Sequence, residues 1–315
     1  MRIVIWATAV LLTSGCRRPD ATRPSPADHA PVRIVVVSHG QAADPFWSVV
    51  KRGVDDAARE VGADVDYRAP ETFDMVRMAR LVESAVAGRP DGLALSIPDP
   101  SALETPISAA IAAGIAVVSF NSGRDAHVKL GIPLHIGQDE QDAGRRAGRR
   151  MAELGVKRAL CVNHEVGNVA LDRRCEGFDE GLEGSVEVVA VDLDPTKTRS
   201  RIQAVLGRSE ATGVLVLGPT AAEPVLAAVK DLDRASELIV ATFDLSPAML
   251  DALADGRLAF ALDQQQYLQG YLPVVLLASQ ARTGALPSSD VLTGPGFVTR
   301  ENVEAVRAFT RAGLR

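Results

Sequence analysis

The feature that most limits the fold of this chain is an alternation. Short β-branched runs recur: RIVVVS (33–38), ADVDYR (63–68), DGLALS (91–96), IAVVSF (115–120), RALCVN (158–163), VEVVAV (186–191), GVLVLG (213–218) and LIVATF (238–243). Ala/Leu-rich segments with helical spacing separate most of them. In Trp47–Val61, for example, Val50, Val54, Ala57, Ala58 and Val61 fall on one face. Near-continuous apolar strands separated by helices require parallel sheets covered on both sides, joined by right-handed crossovers.

The units fall into two series, about 32–137 and 138–263. A helical stretch at Tyr267–Gly284 then leads back to a last short strand near 290–293. The expected architecture is α/β, with two Rossmann-like domains and parallel sheets. Residues 32–137 plus 264–293 form one domain, and 138–263 plus 294–315 the other. The chain crosses between them near Gly137, Asp263 and Gly294. Ligands of such sheets bind beyond the carboxyl ends of the strands, so the residues after each strand are the ones to inspect.

Those residues are mostly hydroxyls, amides and carboxylates. Ser38, His39, Gln41 and Asp44 follow the first strand, Ser96 and Asp99 the third, and Asn121 and Ser122 the fourth. Gln138 and Asp139 stand at the first crossing. His164, Glu165 and Asn168 follow the RALCVN strand, with Arg174 on the next helix. Asp192, Asp194, Asp244 and Gln264-Gln265-Gln266 complete the set. Ser and Asp after a strand are ordinary helix caps, but caps do not explain Asn121, Arg174 or three consecutive Gln. Planar donors and acceptors beside an aromatic platform suit a polyhydroxylated ligand. Phe46 and Trp47 supply such a platform in a chain with only 4% aromatic residues. The alternative, that both pack in the core at a helix start, stays open.

Several function classes lack support. The formal charge of −6 argues against nucleic acid, which needs a basic face. Arg145-Arg146 and Arg149-Arg150 read as the solvated side of one helix. GxSxG, HExxH, the P-loop and a GxGxxG after the first strand are all missing. No cofactor, metal site or catalytic residue is therefore expected. The paired carboxylates Asp139-Glu140 and Asp192/Asp194 read as solvated faces and caps.

The opening residues have a separate logic. Arg2 precedes an apolar run, Ile3–Leu12, which fits the apolar region of a secretory signal covering 1–15. Thr13-Ser14-Gly15-Cys16 resembles a bacterial lipobox, which implies a lipidated Cys16 and a membrane anchor. Cleavage elsewhere with plain secretion is the alternative. Residues 16–31, rich in Pro and Ala, read as a disordered tether. In an oxidising compartment Cys161 and Cys175 could pair; two buried thiols are the other reading.

At the strand-end residues the chain resembles a known family. Ser38…Asp44-Pro45-Phe46-Trp47 before a helix is similar to the start of type I periplasmic sugar-binding proteins of the ribose-binding kind, where the stretch reads Asn-Pro-Phe-Phe. GIAVVSFNSG, RRCEGF, VATFDLSP and LAFALDQQQYLQGYLPVVLL extend the similarity over about residues 32–300. CVNHEVGN and DQQQYLQGY resemble a subgroup of lipoproteins of ABC importers. The resemblance implies the type I periplasmic-binding-protein fold with a three-crossing hinge. It also implies an exported monomer that passes a sugar to permease subunits. Asp44, Phe46, Trp47, Asn121, Arg174, Asp244 and Gln264 are the implied ligand contacts; His39, Glu165 and Asn168 are candidate replacements for contacts the family pattern lacks here, and Ser38 and Asp99 join the candidates as strand-end residues. The family's Asp-Arg pair is Asn121-Ser122 here, the first loop is two residues longer, and Gly218-Pro219 replaces a polar contact. These departures point away from ribose, towards another sugar or a polyol such as an inositol. A sugar-sensing receptor for a signalling kinase is the alternative role, ahead of a sugar-acting enzyme or a repressor's effector domain.

Overall fold

The computed structural model describes residues 31–40 and 44–315. The expected signal segment, Cys16, nearly all of the tether and Gln41 lie outside those residues.

The first series comprises β1 (Arg33–Val37), α1 (Pro45–Val61), β2 (Asp64–Arg68), α2 (Met75–Ala87), β3 (Gly92–Leu95), α3 (Pro100–Ala112), β4 (Ala116–Asn121) and β5 (His135–Gly137). The second comprises α4 (Glu140–Glu153), β6 (Arg158–Asn163), α5 (Val169–Leu182), β7 (Ser185–Ala190), α6 (Pro195–Leu206), β8 (Gly213–Val216), α7 (Pro219–Asp231), β9 (Ile239–Phe243), α8 (Pro247–Ala254) and β10 (Phe260–Asp263). The chain closes with α9 (Gln266–Thr283), β11 (Val291–Leu292), β12 (Gly296–Val298) and α10 (Val303–Arg311).

Two six-stranded sheets result, ordered β11-β5-β4-β3-β1-β2 and β12-β10-β9-β8-β6-β7. The last two strands thus divide between the sheets, and the backbone passes between them after β5, β10 and β11. Each sheet is buried on both faces. Val35, Val37, Leu93 and Leu95 pack on α2 and α3, while Ile34, Val36, Ala94 and Phe120 pack on α1 and α9. That double burial explains the unbroken apolar runs.

The sequence pattern does not yield β5, β10 or β12. Each has three or four residues, too few for a period to emerge. β12 also departs from the expected all-parallel pairing, because it runs antiparallel to β10, with Ala261 opposite Val298.

Helix starts sit at strand ends and are capped as the sequence suggests. Asp44, Asp99, Asp139, Asn168 and Asp194 each accept backbone N–H bonds in the first turn of α1, α3, α4, α5 and α6. The α4–α5 pair packs glycine to backbone, as α1 and α9 do at Gly53 and Gly270. A Cβ on Gly144 would stand 2.1 Å from the Arg174 carbonyl oxygen, and one on Gly177 2.0 Å from that of Gln141. Only glycine permits this approach, and it lays Arg174 beside the start of α4. A disulfide joins Cys161 of β6 to Cys175 of α5, with Cα atoms 5.8 Å apart, on the same side of that sheet. Among the described residues no helix is long and apolar enough to cross a membrane.

Candidate functional site

The carboxyl ends of the two sheets face each other across a small cavity of about 40 Å³. From the first lobe come His39, Asp44, Phe46, Trp47 and Asn121. From the second come His164, Glu165, Asn168, Leu171, Arg174, Leu217, Gly218, Pro219 and Asp244, and Gln264 lies at the second crossing. A wider open crevice of about 570 Å³ adjoins at Asp44 and Pro219, walled mainly by α6 and α7. It is the larger space, lined by four prolines, Leu193 and Ala227 together with Asp44, Thr196, Arg199, Thr220 and Glu223.

Arg174 is the central cation of the site. It is buried, and its Nε donates to Glu140 Oε2 at 2.6 Å. Its guanidinium carbon lies 4.4 Å from the Phe243 ring centre. Glu140 also accepts from Gln138 Nε2 at 2.8 Å. Burial alone would lower the Arg174 pKa; the Glu140 carboxylate, with Asp244 and Glu165, outweighs it and raises it. Glu140 is therefore no solvated-face carboxylate, as its place beside Asp139 had suggested, but the buried partner of Arg174. Asp139 is the cap of α4.

Asp244 faces the same space. Gln264 Nε2 donates to both of its carboxylate oxygens, at 2.8 and 3.0 Å. Burial pushes its pKa up to about 7, against the opposing pull of Arg174 and Gln264. Asn121 and Asp244 both adopt left-handed backbone, with φ of 60° and 65°. Asn and Asp are the non-glycine residues that tolerate this best, and the turn directs both side chains off their strands into the cleft.

His39 and Glu165 meet across the cleft, with Nε2 3.6 Å from Oε2. The other ring nitrogen of His39 lies 2.8 Å from Ser96 Oγ. Burial raises the Glu165 carboxyl, but the nearby His39 and His164 and the Asn168 hydrogen bond hold it down at about 2. Asn168 caps α5 and donates to Glu165 at 2.8 Å. Burial also raises Asp44, partly offset by the Phe46 N–H it accepts, and lowers His164. The Val169 N–H donates to the Pro98 carbonyl across the lobes at 3.0 Å. The lobes are thus closed on each other.

Trp47 is at once wall and core. It stands edge-on to His39, Phe46 and Phe120, with centroid separations of 4.8, 5.0 and 6.4 Å. The two readings of the aromatic pair are not exclusive.

Two expected contacts stand apart from the cavity. Ser38 is buried with its hydroxyl 2.7 Å from that of Tyr67. Asp99 is occupied in capping α3, accepting from Ser101 and Ala102. His164 is a wall residue to which the family resemblance assigns no contact. Gly218 makes room for it, since a Cβ there would lie 2.7 Å from its ring. Among the described residues no group of His, Cys, Asp and Glu could hold a metal ion.

A family model described as "Periplasmic binding protein domain" matches residues 34–285. The chain belongs to this family. A crystal structure of a carbohydrate transporter from Acidothermus cellulolyticus 11B in complex with myo-inositol is 35% identical, with a TM-score of 0.85, covering 91% of this chain and all of that one. The xylose/arabinose-binding protein XylF of Sulfolobus acidocaldarius is 25% identical over 300 residues, 88% of this chain and 73% of that protein. The ribose import binding protein RbsB of Bacillus subtilis is 23% identical over 277 residues, covering 85% and 89%. The two-sheet, three-crossing architecture is that of type I periplasmic binding proteins.

Proposed function

We propose that this protein captures one small neutral sugar or polyol between its lobes and delivers it to an ABC-type permease, without chemical conversion. The observation that carries this reading is the convergence of hydrogen-bonding groups from both lobes on one cavity. Asn121 and His39 stand on one side and Arg174, Asp244 and Glu165 on the other, next to the Phe46–Trp47 wall. Carboxylates, amides and a guanidinium together accept from and donate to ring hydroxyls, and an aromatic wall covers C–H faces.

The walls meet around the cavity, and the Val169 N–H donates to the Pro98 carbonyl across the lobes at 3.0 Å. Entry of a sugar ring therefore requires the lobes to part. The ligand would favour the closed form because only there does it touch both walls. Asn121 and Ser122 in place of a charged pair, together with the myo-inositol of the Acidothermus structure, favour a cyclic polyol over ribose. In this reading the protein is exported and monomeric, held at a membrane by lipid on Cys16. The permease recognises the closed lobes.

The test is calorimetric titration of the protein with myo-inositol, pentoses, hexoses and linear polyols, with melting temperature followed in parallel. One saturating ligand class that also raises the melting temperature is expected. Absence of binding across the panel would overturn the reading.

A further inference from the structure

Gln269 is fully buried in the first turns of α9 and is not part of the cavity wall. Its carboxamide nevertheless touches two ligand-facing side chains and the hinge. Oε1 accepts from Asn121 Nδ2 at 3.0 Å. Nε2 lies 3.1 Å from Gln264 Oε1 and 3.0 Å from Thr293 Oγ1. The Thr293 hydroxyl is in turn 3.1 Å from the Gly137 carbonyl oxygen and 2.8 Å from that of Gln264, and the Thr293 N–H donates to Gly137. Gly137, Gln264 and Thr293 stand at the three crossings between the sheets.

The polarity of this network follows from donor and acceptor inventory. Gln264 Nε2 donates to both oxygens of Asp244, which fixes the direction of the Gln264 amide. The Gln264 Oε1 then points at α9 and needs donors. Gln269 Nε2 and, at 3.3 Å, Asn121 Nδ2 meet it. Asn121 in turn needs an acceptor, and Gln269 Oε1 is that group. A carboxamide is the side chain that presents both a donor end and an acceptor end here. Glutamate lacks the donor and leucine lacks both.

We propose that Gln269 is a positioning residue of the binding site. It orients the amides of Asn121 and Gln264 for ligand hydroxyls and ties them, through Thr293, to all three hinge segments. This rests on the cleft being a sugar or polyol site. A ligand that pulls on Asn121 or Gln264 then acts directly on the hinge.

The test is a double-mutant cycle of Gln269→Leu and Asn121→Gly; glycine suits the positive φ of position 121. Affinity is read by calorimetry with myo-inositol or, if wild type ignores it, with the tightest binder among the pentoses, hexoses and linear polyols. Each single variant should weaken binding about tenfold. The double variant should lose clearly less than the product of the two single losses, since the singles share the Asn121–Gln269 bond. A Gln269→Leu affinity within about twofold of wild type, or a double loss near the product of the singles, would overturn the proposal. If Gln269→Leu does not fold, Gln269→Met, which also lacks the amide donor and acceptor, takes its place with the same expectation. A second readout needs no ligand: the side-chain amide NMR signals of Asn121 and Gln264 should shift and exchange faster in the Gln269 variant. Unchanged signals would overturn the proposal even if no sugar binds wild type, a result that would sink the functional reading separately.

Discussion

The two walls of the cleft are built on different principles. The first-lobe wall is largely aromatic and neutral: Phe46, Trp47, His39 and Asn121, with Asp44 at its edge. Its helices α1 and α9 lie far apart in sequence and meet only through the fold. The second-lobe wall is charged: Arg174, Glu165 and Asp244, with Glu140 behind. Both helix pairs pack glycine to backbone, but α4 and α5 are near neighbours in the chain, and a disulfide ties α5 to β6. Buried charges demand this, because a guanidinium out of water is tolerable only with its partner held in place. The aromatic wall needs shape alone. We expect the second wall to carry polar selectivity and the first to contribute contact area.

Breaking the charged wall should have the largest effect. Arg174→Ala would remove the proposed ligand contacts and strand Glu140 without its partner. Affinity should fall roughly 100-fold or more, and the melting temperature should drop as well. Retained affinity in titration would place the guanidinium outside the site.

On the aromatic wall, Trp47→Ala should cost stability above all, about 3–5 kcal/mol for a truncated buried aromatic, with affinity weakened about tenfold by lost contact. Denaturant unfolding and titration separate the two. A loss of affinity with full stability would mean that Trp47 is wall and not core.

Asp244→Asn sharpens the comparison because its two effects should have opposite signs. The Asp244 pKa rises from 3.8 to about 7 on folding. The folded state therefore holds this proton more tightly than the unfolded chain. The group supports folding fully below about 4, and that support is lost as pH climbs to about 7. At pH 8 Asp244→Asn should melt at a higher temperature than wild type without ligand, yet bind about tenfold more weakly for want of a charge-assisted acceptor. At pH 4 the stability difference should shrink. The reverse trend would show that Asp244 is stabilised as the anion.

The smallest effect is expected at Asp99, which caps α3 outside the cavity. Asp99→Ala should cost about 1 kcal/mol of stability and leave affinity unchanged. A clear loss of affinity would return Asp99 to the site.

Much of this was legible in the chain because its signals are local. The β-branched runs mark the long strands, and the residues that follow them line the cleft, as Asn121, Glu165 and Asp244 show. What was not legible depends on distance. Glu140 beside Asp139 looks like an ordinary acidic helix start; only the close approach of α5 makes it the partner of Arg174, 34 residues on. Gln269 reads as one more polar residue on a helix until the fold sets it against Asn121, 148 residues away. The three-residue strands β5 and β12 lack a period of their own and exist because a neighbouring strand offers hydrogen bonds. Ser38 and Asp99 erred the other way. They follow strands as site residues do, but a tyrosine hydroxyl and a helix N-terminus already occupy them.

The most direct test of the central claim is a crystal structure with the tightest ligand found by titration. The account predicts one sugar or polyol in the cavity between the sheets. Its hydroxyls should lie within hydrogen-bond distance of Asn121 on one wall and of Arg174 and Asp244 on the other. A ligand held by one lobe alone, or seated in the crevice along α6 and α7, would contradict it.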